Sequence, residues 1–325
     1  MQDSPLHSKR HLNTFVRQSH YADKTSGQNT ISALKCILRL LKLLICADHN
    51  QVDSLIGAAL QHAKNNIDKA RILELRLRAK VAESELPDAI EIGHEVLALL
   101  DVPITSRLHI LHLAVIVRIL LSISRQPKKL DTSSVMTDKR LLIAMRVLMD
   151  LSQAGYISGD SRTPLYVLKM TDLSLKHGMA PESSFAFPMF GSLLISFLGT
   201  IDFGYQFGQM ALENLNEGNK HLHCKTMVIV TNFINVWKHH LKETLEPLSQ
   251  AHRLGVETGD VEFSLIASVT SSANAFVLGH DLNSLETNLA VQSARSLAAK
   301  QNSMRHLSDI YRQAAINLLH ENAAP

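Results

Sequence analysis

Histidine and cysteine side chains raise the first chemical question about this sequence, because both residue types bind metal ions such as zinc. The chain has 17 histidines and 3 cysteines, and the densest cluster is His221-Leu222-His223-Cys224. A second pair, His239-His240, could complete a ligand set only if two helix ends met. The spacing matches no zinc pattern, so it favours histidines at the surface or at helix ends. We therefore predict no metal site.

Carboxylates and hydroxyl groups raise the question of catalysis. Glu243 and Glu246 are three residues apart on a predicted helix, a spacing that favours a solvated face. Serine, histidine and aspartate are present, but no G-x-S-x-G nucleophile elbow occurs. The sequence also has no Gly-rich loop followed by Lys-Ser or Lys-Thr and no His-Arg-Asp catalytic loop. We predict a chain without catalytic residues and without a cofactor.

The single tryptophan of the chain is a candidate for partner binding. Trp237 is followed by the cationic groups of Lys238, His239 and His240. One interpretation is a binding edge, because buried tryptophan anchors dominate many protein interfaces. The other is a core tryptophan, with the following cations completing the end of a helix favourably. Spacing alone leaves both interpretations open.

Residues 197–215 form the segment around which the chain is organised. They predict the end of one helix, a tight turn at residues 199–202 and a second helix that packs back. The second helix has one apolar stripe, made of Phe203, Phe207, Met210, Ala211 and Leu215. Gly204 and Gly208 add small residues that let a neighbouring helix approach closely. Helical hairpins of the tetratricopeptide type are built in this way.

Two further residues of this second helix are candidates for the same partner. Tyr205 and Gln206 lie off the apolar stripe. Their spacing therefore points them toward a concave groove rather than toward the core. Together with residues 237–240 they complete the predicted partner-binding set.

The rest of the chain repeats the hairpin plan. Its 14 glycines and 9 prolines stand between periodic segments, which favours long helices. We predict an all-α fold, a tetratricopeptide-like α-solenoid of antiparallel hairpins with about twelve to fourteen helices. Residues 1–30 are predicted to be a disordered or frayed lead-in, 31–320 the helical-repeat domain and 321–325 a tail.

Several local predictions can be compared directly with a structure. Residues 220–239 are predicted to be one long helix, and residues 107–125 an apolar helix in the centre of the stack. Pro188 is predicted to kink or begin its helix. Asn283 with Glu286 resembles a capping box, and Gly259-Asp260 is predicted to close one helix and cap the next.

Charge and cysteine content limit the class of protein. The formal net charge is +3, from 33 basic and 30 acidic residues, too balanced to indicate nucleic acid or a membrane surface. A helix-turn-helix would need a basic recognition helix, and residues 241–256 are not basic enough. Residues 183–201 are uncharged, but serine, glycine and proline interrupt them, which favours a buried helix over a membrane span. Three cysteines and no apolar leader suggest a cytoplasmic protein.

Several segments resemble a known family. They are AIEIGHEVLALLDVPI (89–104), MTDKRLLIAMRVLMDL (136–151), KMTDLSLKHGMAPESSFAF (169–187), IDFGYQFGQMALENL (201–215), NFINVWKHHLKETLEPLSQAHRLGVETGDVEFSLIA (232–267) and DIYRQAAINLL (309–319). In this order they resemble the tetratricopeptide-like region of large hybrid signalling proteins. Those proteins join a serine/threonine kinase-like domain, an AAA ATPase, a GAF domain and a histidine kinase. The resemblance covers about residues 65–320.

The resemblance implies a role in regulating or connecting kinase modules. We expect a non-catalytic scaffold that binds a protein partner, such as a kinase or ATPase domain. The alternative is a part of a multidomain serine/threonine and histidine kinase whose catalytic domains lie outside this sequence. A third hypothesis, a helical sensor in transcriptional control, would need a DNA-binding element that the sequence does not reveal.

Overall fold

The computed structural model describes residues 56–105, 114–119 and 134–319. Within these ranges the chain is helical, and one isolated parallel bridge pairs Val135 with Met179. The α-helices, in chain order, are α1 (Asn66–Ala82), α2 (Leu86–Leu99), α3 (Lys139–Ser158), α4 (Thr163–His177), α5 (Ser183–Leu198), α6 (Ile201–Glu213), α7 (His223–Ile229), α8 (Leu245–Thr258), α9 (Val261–Val277), α10 (Leu282–Ala298) and α11 (Asn302–Leu319). The all-α prediction is confirmed for the described part of the chain.

Some predicted segments lie wholly or partly outside the described residues. The lead-in (1–30) and the tail (321–325) lie outside the described residues. Of the predicted helix at 107–125, only residues 114–119 are described, and they are helical. No helix in the described ranges is long and apolar enough to cross a membrane.

The chain divides into two compact units. The first takes in Met1–Ser106 and Asp138–Thr163, and the second takes in Arg107–Thr137 and Pro164–Pro325. In the first unit α1, α2 and α3 pack against one another. Gly93 of α2 leaves room for side chains of both neighbouring helices, because a Cβ placed there would lie 2.5 Å from Leu151 Cδ2 and 2.9 Å from Leu77 Cδ1.

A buried ion pair joins α1 to α3 in the first unit. Glu74 is only 5% exposed. Its two carboxylate oxygens accept hydrogen bonds from Arg146 at 2.6 Å and 2.9 Å. Arg78 bridges Glu74 at 3.3 Å and Asp150 at 2.9 Å, so a second guanidinium supports the same connection. Two-bond guanidinium–carboxylate pairs fix the relative orientation of the helices that carry them.

Replacing Arg146 with methionine tests this ion pair. We expect the free energy of unfolding to fall by about 2–4 kcal/mol, because the buried carboxylate of Glu74 loses its principal partner. Urea denaturation followed by circular dichroism measures the change. Arg140→Met is the control, since Arg140 pairs with the exposed Asp138 and should cost less than about 1 kcal/mol. Equal losses in the two variants would contradict the assignment.

The second unit begins its best-defined hairpin with α5. Pro188 lies inside this helix rather than at its start, which excludes one of the two predicted alternatives, namely that proline begins the helix. Proline cannot donate to the carbonyl four residues earlier, which is that of Ser184. The Thr226 hydroxyl of α7 donates to that carbonyl at 3.0 Å. A neighbouring helix thus satisfies the group that proline leaves free.

Glycines allow α5 and α6 to pack at short distance. A Cβ placed at Gly204 would lie 2.7 Å from the Gly191 carbonyl oxygen and would also overlap Ile195. The prediction that small residues of the second helix let a neighbouring helix approach closely is therefore confirmed at Gly204. Phe207 is fully buried beside them and makes edge contacts with Phe187 and Phe190, at ring-centroid distances of 5.6 Å and 5.0 Å.

Helices α7 to α11 follow in sequence, each packed against the next. Gly259 and Gly279 adopt the left-handed conformation after α8 and just after α9, which ends each helix. Asp260 accepts a hydrogen bond from Phe263 N and caps α9, as predicted. The predicted capping box at Asn283 is wrong. Asp281 caps α10 instead, accepting from Ser284 N at 2.8 Å, because the helix begins at Leu282 and its N-cap lies two residues before Asn283.

Gly204→Ala tests the close approach of α5 and α6. We expect a loss of about 1–3 kcal/mol in the free energy of unfolding, because the new methyl group overlaps a backbone carbonyl that cannot move independently. Thermal denaturation measures this loss. Gly57→Ala is the matched control, since a Cβ there meets nothing within 4 Å, and it should leave stability unchanged or raised. An unchanged melting temperature in Gly204→Ala would refute the packing argument.

Candidate partner-binding site

The predicted helix at residues 220–239 is broken into four parts. It begins as a 3-10 turn at Glu217–Leu222 and continues as α7. It then widens into a π-helical turn at Val230–Ile234 and ends as a 3-10 turn at Asn235–Trp237. A π turn holds one more residue than an α turn, so side chains after it no longer follow the 3.6-residue period. The single-helix prediction is therefore wrong.

This change of period decides which side chains face the solvent. Val230 and Ile234 are buried, whereas Phe233 is 47% exposed and Trp237 is 57% exposed. The interpretation of Trp237 as a core residue is therefore wrong. Its role in partner binding stays a prediction, now with an exposed indole to support it.

Tyr205 and His239, two of the predicted binding residues, are in direct contact. Tyr205 Oη lies 3.0 Å from His239 Nε2, and the ring centroids are 5.6 Å apart. On its other side, His239 Nδ1 lies 3.3 Å from Glu243 Oε2. A neutral imidazole with its proton on Nδ1 satisfies both partners. Because His239 and Glu243 are exposed, water reaches these groups, and we interpret the contacts as a brace between α6 and the segment at 235–240.

Lys238 adds an ion pair to the same brace. Its ammonium group pairs with Asp202 in the first turn of α6 and lies 6.0 Å from the centre of the Tyr205 ring. Asp202 and Glu243 thus belong to the site, although the sequence analysis did not select them. Their contacts depend on residues 36 and 4 positions away, and only the local Glu243 spacing could have indicated one of them.

The last two predicted binding residues, His240 and Gln206, make none of the brace contacts described above. His240 Nδ1 accepts a hydrogen bond from Lys242 N at 3.2 Å, and Glu243 Oε1 in return accepts from His240 N at 3.4 Å. His240 therefore acts as the N-cap of the 3-10 turn Leu241–Thr244 that leads into α8. Gln206 is exposed beside Tyr205 on α6.

The members of the histidine and cysteine cluster have different surroundings in the structure. His223 Nε2 lies 3.0 Å from the Asn216 carbonyl oxygen. Cys224 is fully buried, facing Gly255 of α8 and Ser264 of α9. Nowhere in the described ranges do three histidine, cysteine, aspartate or glutamate side chains come together in a metal-binding arrangement.

One tripeptide that the sequence analysis missed has the letters of a kinase motif. Asp202-Phe203-Gly204 matches the Asp-Phe-Gly sequence whose aspartate holds magnesium in protein kinases. Here the three residues form the first turn of α6, Asp202 pairs with Lys238, and Gly204 packs on α5. An ion pair and a helix contact therefore account for Asp202 and Gly204 at these positions.

The thiol of Cys224 gives a test of this part of the structure. Burial, reinforced by the charge of Asp260, raises the pKa of Cys224 to about 12. At pH 8 only about one thiol in ten thousand is then ionised, so the native protein should not react with a disulfide reagent within minutes. A chain with Cys36→Ser and Cys46→Ser isolates this thiol, and labelling should appear only in urea. Rapid labelling of the native protein would show that α8 and α9 do not cover it.

Comparison with known proteins shows that part of the chain is weakly similar to a signalling protein. No protein-family model matches the chain. The chain is similar to hybrid signal transduction histidine kinase G of Dictyostelium discoideum, with 28% identity over 142 residues. The matched stretch is 43% of this chain and 4% of that protein, so the chain spans a small part of the relative's length. The match supports a relation to a signalling protein, which is the coarser part of the resemblance found from the sequence.

Proposed function

We propose that the chain is a non-catalytic helical-repeat module that binds a protein partner in kinase or two-component signalling. The observation that carries the proposal is the exposed Trp237, presented beside a rigid polar brace. A large aromatic side chain left in water is unusual in a monomer and typical of an interface anchor. The brace from Tyr205 and Asp202 to residues 238 and 239 orders the backbone next to the indole before any partner arrives, which lowers the entropy lost on binding.

The packing of the second unit supports the helical-repeat part of the proposal. Short turns join α5 to α6 and link α8, α9, α10 and α11 in series. Helix α9 also contacts α7 and α11, the helices two positions before and after it. Contacts limited to near neighbours in sequence are typical of helical repeats. The small-residue contact of α5 with α6 is of the tetratricopeptide kind. We therefore propose a tetratricopeptide-like α-solenoid.

The relation to a hybrid histidine kinase supports the choice of partner. We propose a kinase or ATPase domain as the partner, with no nucleic acid and no membrane span involved. The low cysteine count supports a cytoplasmic location. The chain itself would carry out no phosphoryl transfer, because the candidate residues form a brace and a cap rather than a nucleotide site.

Site-specific crosslinking tests the proposal. We expect a photoreactive phenylalanine analogue at position 237, introduced in the protein's own cells, to give a covalent adduct with a protein that carries a kinase or ATPase domain. The same analogue at position 256 is the control, because Val256 is equally exposed at the end of α8. Absence of an adduct, or equal adducts at both positions, would contradict a binding role for Trp237.

A second candidate function is that of a connecting segment within a larger kinase. The observation that favours it is the small share of the histidine kinase, 4%, that the match covers. An antibody against this chain would then detect a product much larger than 36.1 kDa in the native cells. A band at 36.1 kDa would instead support the free adaptor.

A further inference from the structure

Three helix connections of the second unit carry exposed apolar side chains that include phenylalanine and tryptophan or stand beside them in the fold. Phe197, 74% exposed, and Leu198 precede the turn between α5 and α6. Phe233 and Trp237 lie in the connection between α7 and α8. Val277, 67% exposed, ends α9 before the turn to α10. We call these five side chains the apolar edge.

The three connections lie at the same end of the helices. Neighbouring helices joined by short turns run in opposite directions, so connections two helices apart return to one end. Asp202 and Lys238 link the first connection to the second. Asn274 Nδ2 donates to Thr244 Oγ1 at 2.9 Å, which links the second connection to the end of α9. The apolar edge is therefore one surface rather than three separate sites.

The opposite end of these helices has a different composition. There the connection between α6 and α7 is polar and contains Asn216 and Glu217. The turn between α8 and α9 exposes Val256 and Val261, and the end of α10 exposes Leu297, but neither connection exposes an aromatic ring. Among the described residues of the second unit, the exposed phenylalanine and tryptophan side chains are those of the apolar edge. Aromatic side chains are the residue class enriched in interface anchors.

Charges on this end compensate one another. Asp202 pairs with Lys238, whereas Glu243 accepts from the neutral imidazole of His239 and has the cation of Lys242 as its neighbour in the chain. Asp281 caps α10, and its hydrogen bonds with Ser284 lower the pKa of its carboxyl, which keeps it ionised at the positive end of a helix. Lys242 is the remaining exposed cation of the connection into α8. The end as a whole thus offers apolar area without a strong net charge.

We propose that the apolar edge is the docking surface for an amphipathic helix of a protein partner, whose contact face is apolar and has no net charge. This proposal rests on the proposed function and names the chemistry of its partner. An apolar helix face matches the edge because burying aromatic and aliphatic area drives the association. A partner with a strongly charged contact face would gain little, because the amines of Lys238 and Lys242 nearly balance the carboxylates of Asp202, Glu243 and Asp281 on this end.

The single tryptophan makes the edge directly observable. The full chain is titrated with tryptophan-free helical peptides of 14 residues that share a leucine and phenylalanine face and carry glutamine, glutamate or lysine on the flanks of that face. We expect a saturable blue shift of the Trp237 emission with the glutamine peptide. Its affinity should change less than about twofold between low and high salt, because screening affects only charged contacts. The two charged peptides should bind no more tightly.

Matched variants separate the edge from the rest of the surface. Phe197→Ser and Val277→Ser should each weaken binding of the glutamine peptide at least tenfold, and both positions are exposed, so folding is preserved. Val256→Ser, at the opposite end, should leave the affinity unchanged.

Several outcomes would overturn the proposal. They are no shift with any peptide, a preference for a charged peptide with steep salt dependence, and equal affinities in the three variants. A blue shift with phosphatidylcholine vesicles, or a doubled mass without peptide, would assign the edge to lipid or to a second copy of the chain. If crosslinking at position 237 captures a kinase or ATPase partner while the peptides fail, only the docking proposal is refuted.

Discussion

The structure of the second unit depends on a niche lined by glycines between α5 and α6. A Cβ at Gly191 or at Gly208 would lie 3.1 Å from the Ile234 Cδ1 atom, so the absence of side chains at both positions leaves room for this isoleucine. Ile234 is the last residue of the π turn. Its burial in the niche fixes the rotation of the whole segment, and Phe233 and Trp237 consequently face the solvent. Core packing and the exposed tryptophan are thus two results of one steric fit.

Polar contacts with α6 hold the residues that follow the buried Ile234. Lys238 and His239 follow the niche residue closely and are each held by α6, through Asp202 and Tyr205. The ion pairs are exposed and therefore contribute little to stability. Their effect is positional, because they limit the rotamers and backbone angles available next to the indole. A similar division occurs in the first unit, where Gly93 sets the distance between helices and the pair of Glu74 and Arg146 sets their orientation.

The sequence predicts what depends on local spacing. The hairpin of α5 and α6, the small residues at its contact and the cap at Asp260 all follow from patterns within a few residues. The π turn does not, because apolar residues four apart, such as Val230 and Ile234, fit an α-helix and a π turn equally well. The pairing of Glu74 with Arg146 spans 72 residues and leaves no local signal. The candidate site was therefore identified by residue type at Tyr205 and Trp237, while its geometry required the packed helices.

The proline within α5 has a consequence for how this sequence can change over time. While residue 188 is proline, no backbone N–H of α5 can donate to the carbonyl of Ser184 from that position. The hydroxyl of Thr226 donates to this carbonyl from another helix. The residue that is acceptable at position 226 therefore depends on whether position 188 is proline. Descendants that keep the proline should keep serine or threonine at position 226, whereas those that lose it are free to place valine or alanine there. Substitutions at positions 188 and 226 should therefore be coupled, although 38 positions separate them in the chain.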